Sequence, residues 1–454
     1  MVGEETWSVG DDGGLSPPTY PSSSIPIRLE SSSFKVSSPG VFLPGFWSDI
    51  FRSFRLAMEF FLLSALLRLH HHRLFLLLLL LFVFSSGTLK VNAFTGTFGI
   101  NYGRVADNLP APESVVTLLK ANRIKNVRIY DANHDVLKAF SKSGLEIVVG
   151  VANEYLKDMS VNEDSAMTWI KENVQTFLPD THIVGIAVGN EILGGSDSEL
   201  AEVLLPAVKN VYNAISRLQL TGTIQVWTPH SEAVFASSFP PSSCTFRDDV
   251  IQYMKPLLAF FSKTGAPFYV NAYPFLAYKS DPSNININYA LFKSNAGVYD
   301  GKSNLHYDNM FDAQIDAAYF ALEAAGYGDM EVRISETGWA SKGDADEAGA
   351  TLENARTYNF NLRKRLAKKK GTPYRPKRVV KAYIFALFNE DSKPGPTSER
   401  NFGLFKPDGS ISYNIGFTGL KPSSASSSLL SLKSWTASYL GALLASALVL
   451  LLVL

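Results

Sequence analysis

Two glutamates end apolar runs of this sequence inside short polar clusters, where their side chains could do chemistry. Glu191 follows the run 182–188 and Asn190, and Glu336 follows the run 331–335 and precedes Thr-Gly-Trp. Two carboxylic acids are the minimal equipment for cleaving a glycosidic bond: one protonates the leaving oxygen, and the other attacks the anomeric carbon or activates water. These roles need environments that push the two pKa values apart. A separation of about 5–5.5 Å between the carboxyl groups would indicate a retaining mechanism.

A single glutamate at the end of a strand is more often a rim charge or an ion-pair partner, so the pair matters more than either member. Glu390 and Glu399 lie in similar polar surroundings, and the residue types alone leave them open as members of the pair. Other polar residues also end apolar runs, namely Asn101, Tyr102, Asn271, Tyr273 and Asn389.

Residues this far apart in sequence meet only if a regular scaffold brings them to one rim. Apolar runs of β-forming residues recur at 97–102, 126–130, 146–151, 182–188, 224–228, 267–272, 331–335 and 379–387. Amphipathic stretches with helical spacing lie between them, at 113–122, 165–177, 199–218, 250–263, 313–325 and 351–369. No clear helical stretch follows the last predicted strand.

This alternation is typical of a parallel sheet covered by helices. Eight strand–helix units over about 300 residues predict an α/β fold, the closed (β/α)8 TIM barrel. The rival is a doubly wound open sheet, which would carry a glycine-rich nucleotide-binding turn after its first strand; residues 99–103 are not such a turn. In a barrel the strand ends share one mouth, so Glu191 and Glu336 would both reach it.

The composition narrows the classes of partner. The chain has 454 residues and a formal net charge of zero, which gives no reason to expect nucleic acid as a partner. Cys244 is the single cysteine, so we expect no internal disulfide. No His/Cys/Asp cluster predicts a metal site, and we expect structural roles for His182 and His230. We also expect a monomer without a cofactor.

The amino-terminal part has the order of a secretory signal placed after an unusual extension. A basic segment, the apolar run 74–84 and the small-residue exit 91–93 are typical of a signal peptide within residues 58–93. Residues 1–57 are rich in Ser, Pro and Gly and predict a disordered extension. Met58 offers a natural start, so we expect residues 1–57 not to be translated, which amino-terminal sequencing would test. The rival is a signal anchor that keeps the extension in the cytoplasm.

The carboxyl-terminal part has the order of a glycosylphosphatidylinositol (GPI) attachment signal. A Ser-rich linker at 418–438 precedes an apolar tail at 439–454. Small residues, a spacer and such a tail are typical of a lipid anchor whose tail is removed, and we expect attachment at Ser424 or Ser426. The alternative is a membrane-spanning helix, but the tail is short for a span of about 20 residues and lacks a basic flank. Residues 94–417 then form the folded domain.

Several short motifs follow one another in a fixed order within residues 98–417. They are GINYGRVADNLP (99–110), VRIYD (127–131), VGNEI (188–192), NAYPF (271–275), ISETGWAS (334–341), FALFNED (385–391) and ERNFGLF (399–405). Together they resemble glycoside hydrolase family 17, the plant β-1,3-glucanases. The resemblance implies a cofactor-free barrel that cuts β-1,3-glucan such as callose within the chain, with retention at the anomeric carbon.

The resemblance also assigns roles to individual residues. Glu191 matches the proton donor, Glu336 matches the nucleophile, and Asn190 matches the asparagine that bonds the sugar 2-hydroxyl. Lys393 is expected near Glu336, where its charge favours an ionised carboxylate. Phe402 is expected to form an apolar wall for a glucose ring, with ordinary core packing as the alternative. The cleft and the polar cluster beside the nucleophile are completed by Tyr102, Asn271, Tyr273, Glu390 and Glu399.

Some features depart from the family pattern. They are the extension 1–57, the lack of a Cys-rich carbohydrate-binding module after the barrel, and Ala152 where the family commonly has proline. Two other functions stay open: a surface protein that binds callose without cutting it, and a transglycosylase that passes the sugar to another glucan. We expect a secreted protein on the outer face of the plasma membrane and in the cell wall, bound to the membrane through its lipid anchor. Growth, defence and control of cell-to-cell pores are all compatible roles.

Overall fold

The computed structural model describes Met58 and residues 94–420. The predicted extension, the rest of the signal peptide, the apolar tail and the candidate anchor residues Ser424 and Ser426 lie outside the described residues. No helix within the described part is long and apolar enough to cross a membrane.

Parallel strands form one sheet that closes into a barrel, and two short antiparallel hairpins lie apart from it. The strands are β1 (Phe98–Asn101), β2 (Asn126–Arg128), β3 (Glu146–Val151), β4 (His182–Val188), β5 (Gln225–Trp227), β6 (Pro229–Ser231), β7 (Phe235–Ser237), β8 (Thr245–Phe246), β9 (Phe268–Asn271), β10 (Val298–Asp300), β11 (Leu305–Tyr307), β12 (Val332–Thr337) and β13 (Ala382–Ile384). The order of the main sheet is β5-β4-β3-β2-β1-β13-β12-β9-β6, with hairpins β7-β8 and β10-β11.

The barrel closes through its fifth strand, which is divided into two parts. β5 pairs with β4, whereas β6 pairs with β9, and only Thr228 separates the two parts. Pro229, which begins β6, has no N–H to donate to a ladder, and this is where the strand changes partner. Counted as one, β5 and β6 give a barrel of eight strands, so the predicted (β/α)8 TIM barrel is confirmed and the open sheet is excluded.

All eight predicted strands are present, but the last is shorter than the pattern indicated. β13 covers three residues of the predicted run 379–387. Beyond it, the N–H of Phe385 donates to the carbonyl of Thr337, and the N–H of Leu387 donates to the carbonyl of Asn101. The apolar run therefore continues between its two neighbours without keeping a regular ladder.

Helices cover the outside of the barrel and turn their apolar faces toward it. They are α1 (Pro112–Ala121), α2 (His134–Ala139), α3 (Leu156–Val161), α4 (Glu163–Asn173), α5 (Ser198–Arg217), α6 (Asp248–Thr264), α7 (Pro274–Ser280), α8 (Ile287–Ala290), α9 (Met310–Ala324) and α10 (Leu352–Ala367). Asn162, Asp197 and Asn309 each cap a helix by accepting a hydrogen bond from the backbone of its first turn. Between β13 and residue 420 there is no α-helix, as the sequence indicated, and only one 3-10 turn, Thr397–Arg400.

Large aromatic side chains fill the barrel beneath its carboxyl-terminal mouth. Trp227 stacks on Tyr269 with ring centroids 3.7 Å apart. Phe94 contacts Tyr383 edge-on at 4.8 Å and is fully buried. The residues at the mouth therefore rest on a closely packed floor, which limits how far they can move.

The loop after β3 offers a test of the departure at position 152. Ala152 has φ −64° and ψ 156°, which a proline adopts without strain. Its N–H donates to no atom of residues 94–420. We expect Ala152→Pro to stabilise the protein by about 0.4–1 kcal/mol by restricting the unfolded chain, seen as a higher Tm with unchanged kcat. Ala152→Gly should lower Tm, and a lower Tm for the proline variant would contradict the prediction.

Candidate active site

A cleft of about 580 Å³ opens at the carboxyl ends of the barrel strands. A larger cavity, of about 1000 Å³, lies at the opposite end and contains none of the predicted site residues. Barrel chemistry is carried by the carboxyl ends of the strands, so the cleft is the candidate active site. It is lined by every predicted catalytic or substrate-binding residue except Asn271, that is, by Tyr102, Asn190, Glu191, Tyr273, Glu336, Glu390, Lys393, Glu399 and Phe402.

Glu336, near the end of β12, is held through both of its carboxyl oxygens. Arg128 Nη1 donates to Oε1 at 2.9 Å, and the hydroxyl of Tyr273 donates to Oε2 at 2.8 Å. The register between β9 and β12 shifts between Ile334 and Glu336, which re-aims the end of the strand. Glu336 and Arg128 are both buried, so the ion pair is weakly screened by solvent. The carboxylate is therefore fixed in orientation and balanced in charge.

Glu191 stands at the end of β4 in a different environment. Its φ of 53° lies in the left-handed region, which few side-chain-bearing residues adopt. Its Oε1 accepts one hydrogen bond, from Asn271 Nδ2 at 2.8 Å. Burial, and then the negative charge of Glu336, raise the pKa of Glu191 above its ordinary value. The two carboxyl groups thus differ in partners and in charge balance, as an acid and a nucleophile require.

Asn271, beneath the cleft on β9, links the two carboxyl-bearing strands. Its Oδ1 accepts from the hydroxyl of Ser335 at 2.6 Å, which leaves Nδ2 to donate to Glu191. The carbonyl of Ser335 accepts in turn from Asn101 Nδ2 at 3.1 Å. Asn271 is 2% exposed, so it acts on Glu191 from below.

The comparison with protein families decides what kind of protein carries this site. The family model described as Glycosyl hydrolases family 17 matches residues 98–417, which is more than half of the chain. The chain belongs to this family.

Named relatives agree with the family. The Arabidopsis thaliana protein glucan endo-1,3-beta-glucosidase 11 is 49% identical over 338 residues, which cover 74% of this chain and 79% of the relative. Glucan endo-1,3-beta-glucosidase 14 from the same plant is 48% identical over 324 residues, which cover 71% and 83% of the two chains. A solved structure of CJP38, a beta-1,3-glucanase and allergen of Cryptomeria japonica pollen, has a TM-score of 0.68 and 42% identity, covering 71% of this chain and 99% of that one.

Arg128 of this family 17 chain is a site residue that the sequence analysis missed. Besides Glu336, it contacts Asn190, whose Oδ1 accepts from Nη2 at 2.7 Å. Its guanidinium carbon lies 4.5 Å from the ring centre of Tyr130 and 5.5 Å from that of Trp227. The available signal was an arginine inside a predicted buried strand, because a buried charge requires a partner.

Lys393 does not form the ion pair that holds the nucleophile candidate. Its Nζ lies 3.1 Å from Glu399 Oε2 and 4.4 Å from the ring centre of Phe385. The direct ionic partner of Glu336 is Arg128 instead. Lys393 still lines the same cleft and lowers the pKa of Glu191 through its charge, although burial and Glu336 outweigh it.

Glu390 occupies a tight position beside the first strand. It is 3% exposed and accepts a hydrogen bond from the N–H of Val105 at 2.9 Å. Burial raises the pKa of this carboxyl. A Cβ added to Gly103 would lie 2.4 Å from Glu390 Oε1, so a side chain at position 103 would displace this carboxyl group.

Phe402 packs among aromatic rings and also borders the cleft, so both alternatives of the sequence analysis stay open. It contacts the rings of Tyr273, Phe275 and Phe385 edge-on at 5.9, 5.7 and 5.5 Å. It is only 3% exposed but also forms part of the cleft wall. Tyr102 lines the same cleft, and burial raises its pKa to about 12, so its hydroxyl stays protonated.

No metal centre accompanies the site in the part of the chain that the structure describes. Across Met58 and residues 94–420, no group of three or more His, Cys, Asp or Glu side chains could hold a metal ion. His230 is buried, which lowers its pKa to about 3 and keeps it neutral. It stacks on Phe268 with ring centroids 5.1 Å apart, which is a packing role.

Proposed function

We propose that this chain hydrolyses 1,3-β-D-glucosidic linkages within β-1,3-glucan and retains the configuration at the anomeric carbon. The observation that carries the proposal is the contrast between the two carboxyl groups of the cleft. Glu336 is fixed by Arg128 and Tyr273, whereas Glu191 has a raised pKa. The names of the family 17 relatives supply the substrate, since they are glucan endo-1,3-beta-glucosidases.

In the first step, Glu336 attacks the anomeric carbon while Glu191 gives its proton to the departing 3-oxygen of the next glucose. The attack forms a covalent glycosyl ester and releases the reducing-end part of the glucan. Arg128 donates a hydrogen bond to the Oδ1 of Asn190. The Nδ2 of Asn190 then remains to donate to the sugar 2-hydroxyl. Such a contact strengthens as the transition state forms.

In the second step, Glu191 changes from acid to base. After burial, the negative charge of Glu336 is the second cause of the raised pKa of Glu191. Once Glu336 is esterified, that charge is gone. The pKa of Glu191 therefore falls, and the carboxylate takes a proton from the attacking water. Water opens the ester, and the sugar leaves with its original β configuration.

Product analysis on laminarin tests the proposal. We expect a mixture of short β-1,3-oligomers early in the reaction, because cleavage occurs inside the chain. Proton NMR before mutarotation should show the β anomer at the new reducing end. An initial α anomer would contradict retention, and products longer than the substrate would indicate a transglycosylase. Laminarin that is bound but never cut would favour the binding-protein alternative.

The hydrogen bond from Asn271 to Glu191 predicts a change in pH dependence. This bond lowers the pKa of Glu191, so its loss should raise that pKa. Because Glu191 must be protonated to act as acid, the alkaline limb of kcat/KM for Asn271→Ala should move to higher pH. Asn361→Ala, which removes a bond to the carbonyl of Leu291 on the outside of the barrel, should leave the limb in place. An alkaline limb moved to lower pH would contradict the assignment.

We also propose a secreted monomer held on the outer face of the plasma membrane, and in the cell wall, by a lipid anchor at Ser424 or Ser426. The support is the order of the sequence, with the apolar run 74–84 near one end and the Ser-rich linker before an apolar tail at the other. Phospholipase C specific for phosphatidylinositol should release the protein from plant membranes. A protein that stays in the membrane fraction would favour a spanning helix.

A further inference from the structure

The side chain of Asn153 holds the backbone of Asn190 through both ends of its amide. Its Oδ1 accepts from the N–H of Asn190 at 2.7 Å, and its Nδ2 donates to the carbonyl of Asn190 at 3.1 Å. The N–H of Gly189 donates to the carbonyl of Val151 at 2.8 Å, where β3 ends. Asn153 therefore continues the pairing of β3 with β4 beyond the last residue of either strand.

The segment that Asn153 holds has an unusual backbone. Gly189 and Glu191 have φ of 68° and 53°, so two left-handed residues flank Asn190. Beyond Asn190, the backbone contact is the N–H of Glu191 donating to the carbonyl of Pro229 at 3.1 Å. Left-handed backbone at a residue other than glycine persists only when its surroundings impose it. Asn153 supplies two hydrogen bonds to the peptide groups next to Glu191.

Asn153 itself is firmly placed and stands outside the cleft. It begins the 3-10 turn Asn153–Tyr155, which leads directly into α3. Leu156, the first residue of that helix, is fully buried. Asn153 does not line the cleft, and its contact with the site runs through the backbone of Asn190.

We propose that Asn153 is a positioning residue that sets the reach of Glu191 toward the leaving oxygen. The inference rests on the proposed function and adds a determinant of its acid step. The backbone segment that Asn153 holds also contains Asn190, whose side chain is joined through Arg128 to Glu336. Asn153 thus helps to fix the position of the acid Glu191 relative to the nucleophile Glu336.

A comparison of two substrates tests this role in Asn153→Ala. Laminarin has a poor leaving group that needs a proton, whereas a 2,4-dinitrophenyl β-laminarioligoside departs without one. We expect kcat/KM on laminarin to fall on the order of 100-fold, as for a displacement of about 1 Å in a catalytic group. The loss on the dinitrophenyl substrate should be at least several-fold smaller. The effect should appear in kcat rather than KM.

Asn153→Asp provides a second variant of the same shape. An ionised aspartate still accepts from the N–H of Asn190 but faces its carbonyl with a repelling oxygen. A protonated aspartic acid donates to that carbonyl and restores the second bond. The ratio of its activity on laminarin to that of the wild type should therefore rise as pH falls. A ratio that stays constant with pH would overturn the role of the second bond.

Asn162→Ala is the matched control. Asn162 also lies in the segment after β3 and accepts a hydrogen bond from the N–H of Ser165 at 2.9 Å, but it caps α4 and has no contact with the site. Its removal should lower Tm and leave the ratio of the two substrates unchanged. Equal losses on both substrates in Asn153→Ala, or no loss, would overturn the inference alone. A wild type that cuts neither substrate would overturn the proposed function and the inference with it.

Discussion

Glu336→Ala should lose hydrolysis of laminarin by a factor on the order of 10⁴ or more in kcat, as for other residues that form a covalent intermediate. The alanine cannot attack the anomeric carbon, and it leaves Arg128 without its carboxylate partner. Glu336→Gln should be equally inactive but better folded, because its amide oxygen still accepts from Arg128. The measurement is the release of reducing ends from laminarin, with Tm recorded for each variant.

Azide distinguishes the two glutamates, because it takes the place of the attacking carboxylate in Glu336→Ala and of the attacking water in Glu191→Ala. In Glu336→Ala, the anion can enter beside Arg128 and displace an activated leaving group directly, giving an α-glycosyl azide. In Glu191→Ala, the ester on Glu336 still forms from an activated substrate, and azide then opens it to a β-glycosyl azide. Opposite anomers from the two variants would fix both roles, and the same anomer from both would refute the assignment.

Glu390 and Glu399 are the controls for this assignment, since both are carboxylates of the same cleft. Glu390 is bonded to the backbone of Val105, and Glu399 is paired with Lys393. We expect Glu390→Ala and Glu399→Ala to lose less activity than Glu336→Ala, and azide to rescue neither. Azide rescue of Glu390→Ala would mean that Glu390, and not Glu336, is the nucleophile.

The barrel was predictable because its strands and helices have strong local signals. Runs such as 146–151 and 182–188 are apolar after their first residue and match the strands residue for residue. The division of the fifth strand was not predictable from those signals. It depends on which neighbour each half meets, and Gln225–Trp227 and Pro229–Ser231 pair with strands that are distant in sequence.

The residues at the mouth of the barrel were only partly predictable from the sequence. Polar residues that closely follow strands, such as Glu191 and Tyr273, were expected at the cleft because the carboxyl ends of all barrel strands meet there. Arg128 and Asn153 were missed because their residue types have many ordinary roles, an ion pair for one and a helix cap for the other. Only the folded chain shows that Arg128 meets Glu336 and Asn190, which lie 208 and 62 positions away.

Arg128 leads to the second large prediction. Its guanidinium donates to Glu336 Oε1 at 2.9 Å, to Asn190 Oδ1 at 2.7 Å and to the carbonyl of Ser335 at 3.3 Å. A lysine keeps the charge but has a single nitrogen, which cannot span these acceptors in a fixed plane. We expect Arg128→Lys to lower kcat by about 10²–10³-fold, the scale of losing one preorganised electrostatic contact.

Arg333→Lys is the control for Arg128→Lys, because Arg333 is also a buried arginine of the barrel interior. It forms two bonds to Glu331, at 3.0 and 2.9 Å, and lines the cavity at the opposite end. Its replacement should lower Tm but leave kcat close to that of the wild type. Equal losses of kcat in the two lysine variants would mean that Arg128 contributes only to folding.

The free energy of unfolding separates the contribution of the Arg128 charge from the contribution of its packing. Arg128→Met leaves the carboxylate of Glu336 buried without a counter-ion, and breaking such a pair costs about 3–5 kcal/mol. In the Glu336→Gln background no buried negative charge remains, so the same substitution should cost less. Denaturant unfolding of the wild type, both single variants and the double variant gives the coupling energy. Additive costs would show that the contacts of Arg128 other than the ion pair hold it in place, namely those with Tyr130, Trp227 and Asn190. A favourable coupling would show that the ion pair with Glu336 itself stabilises the folded site.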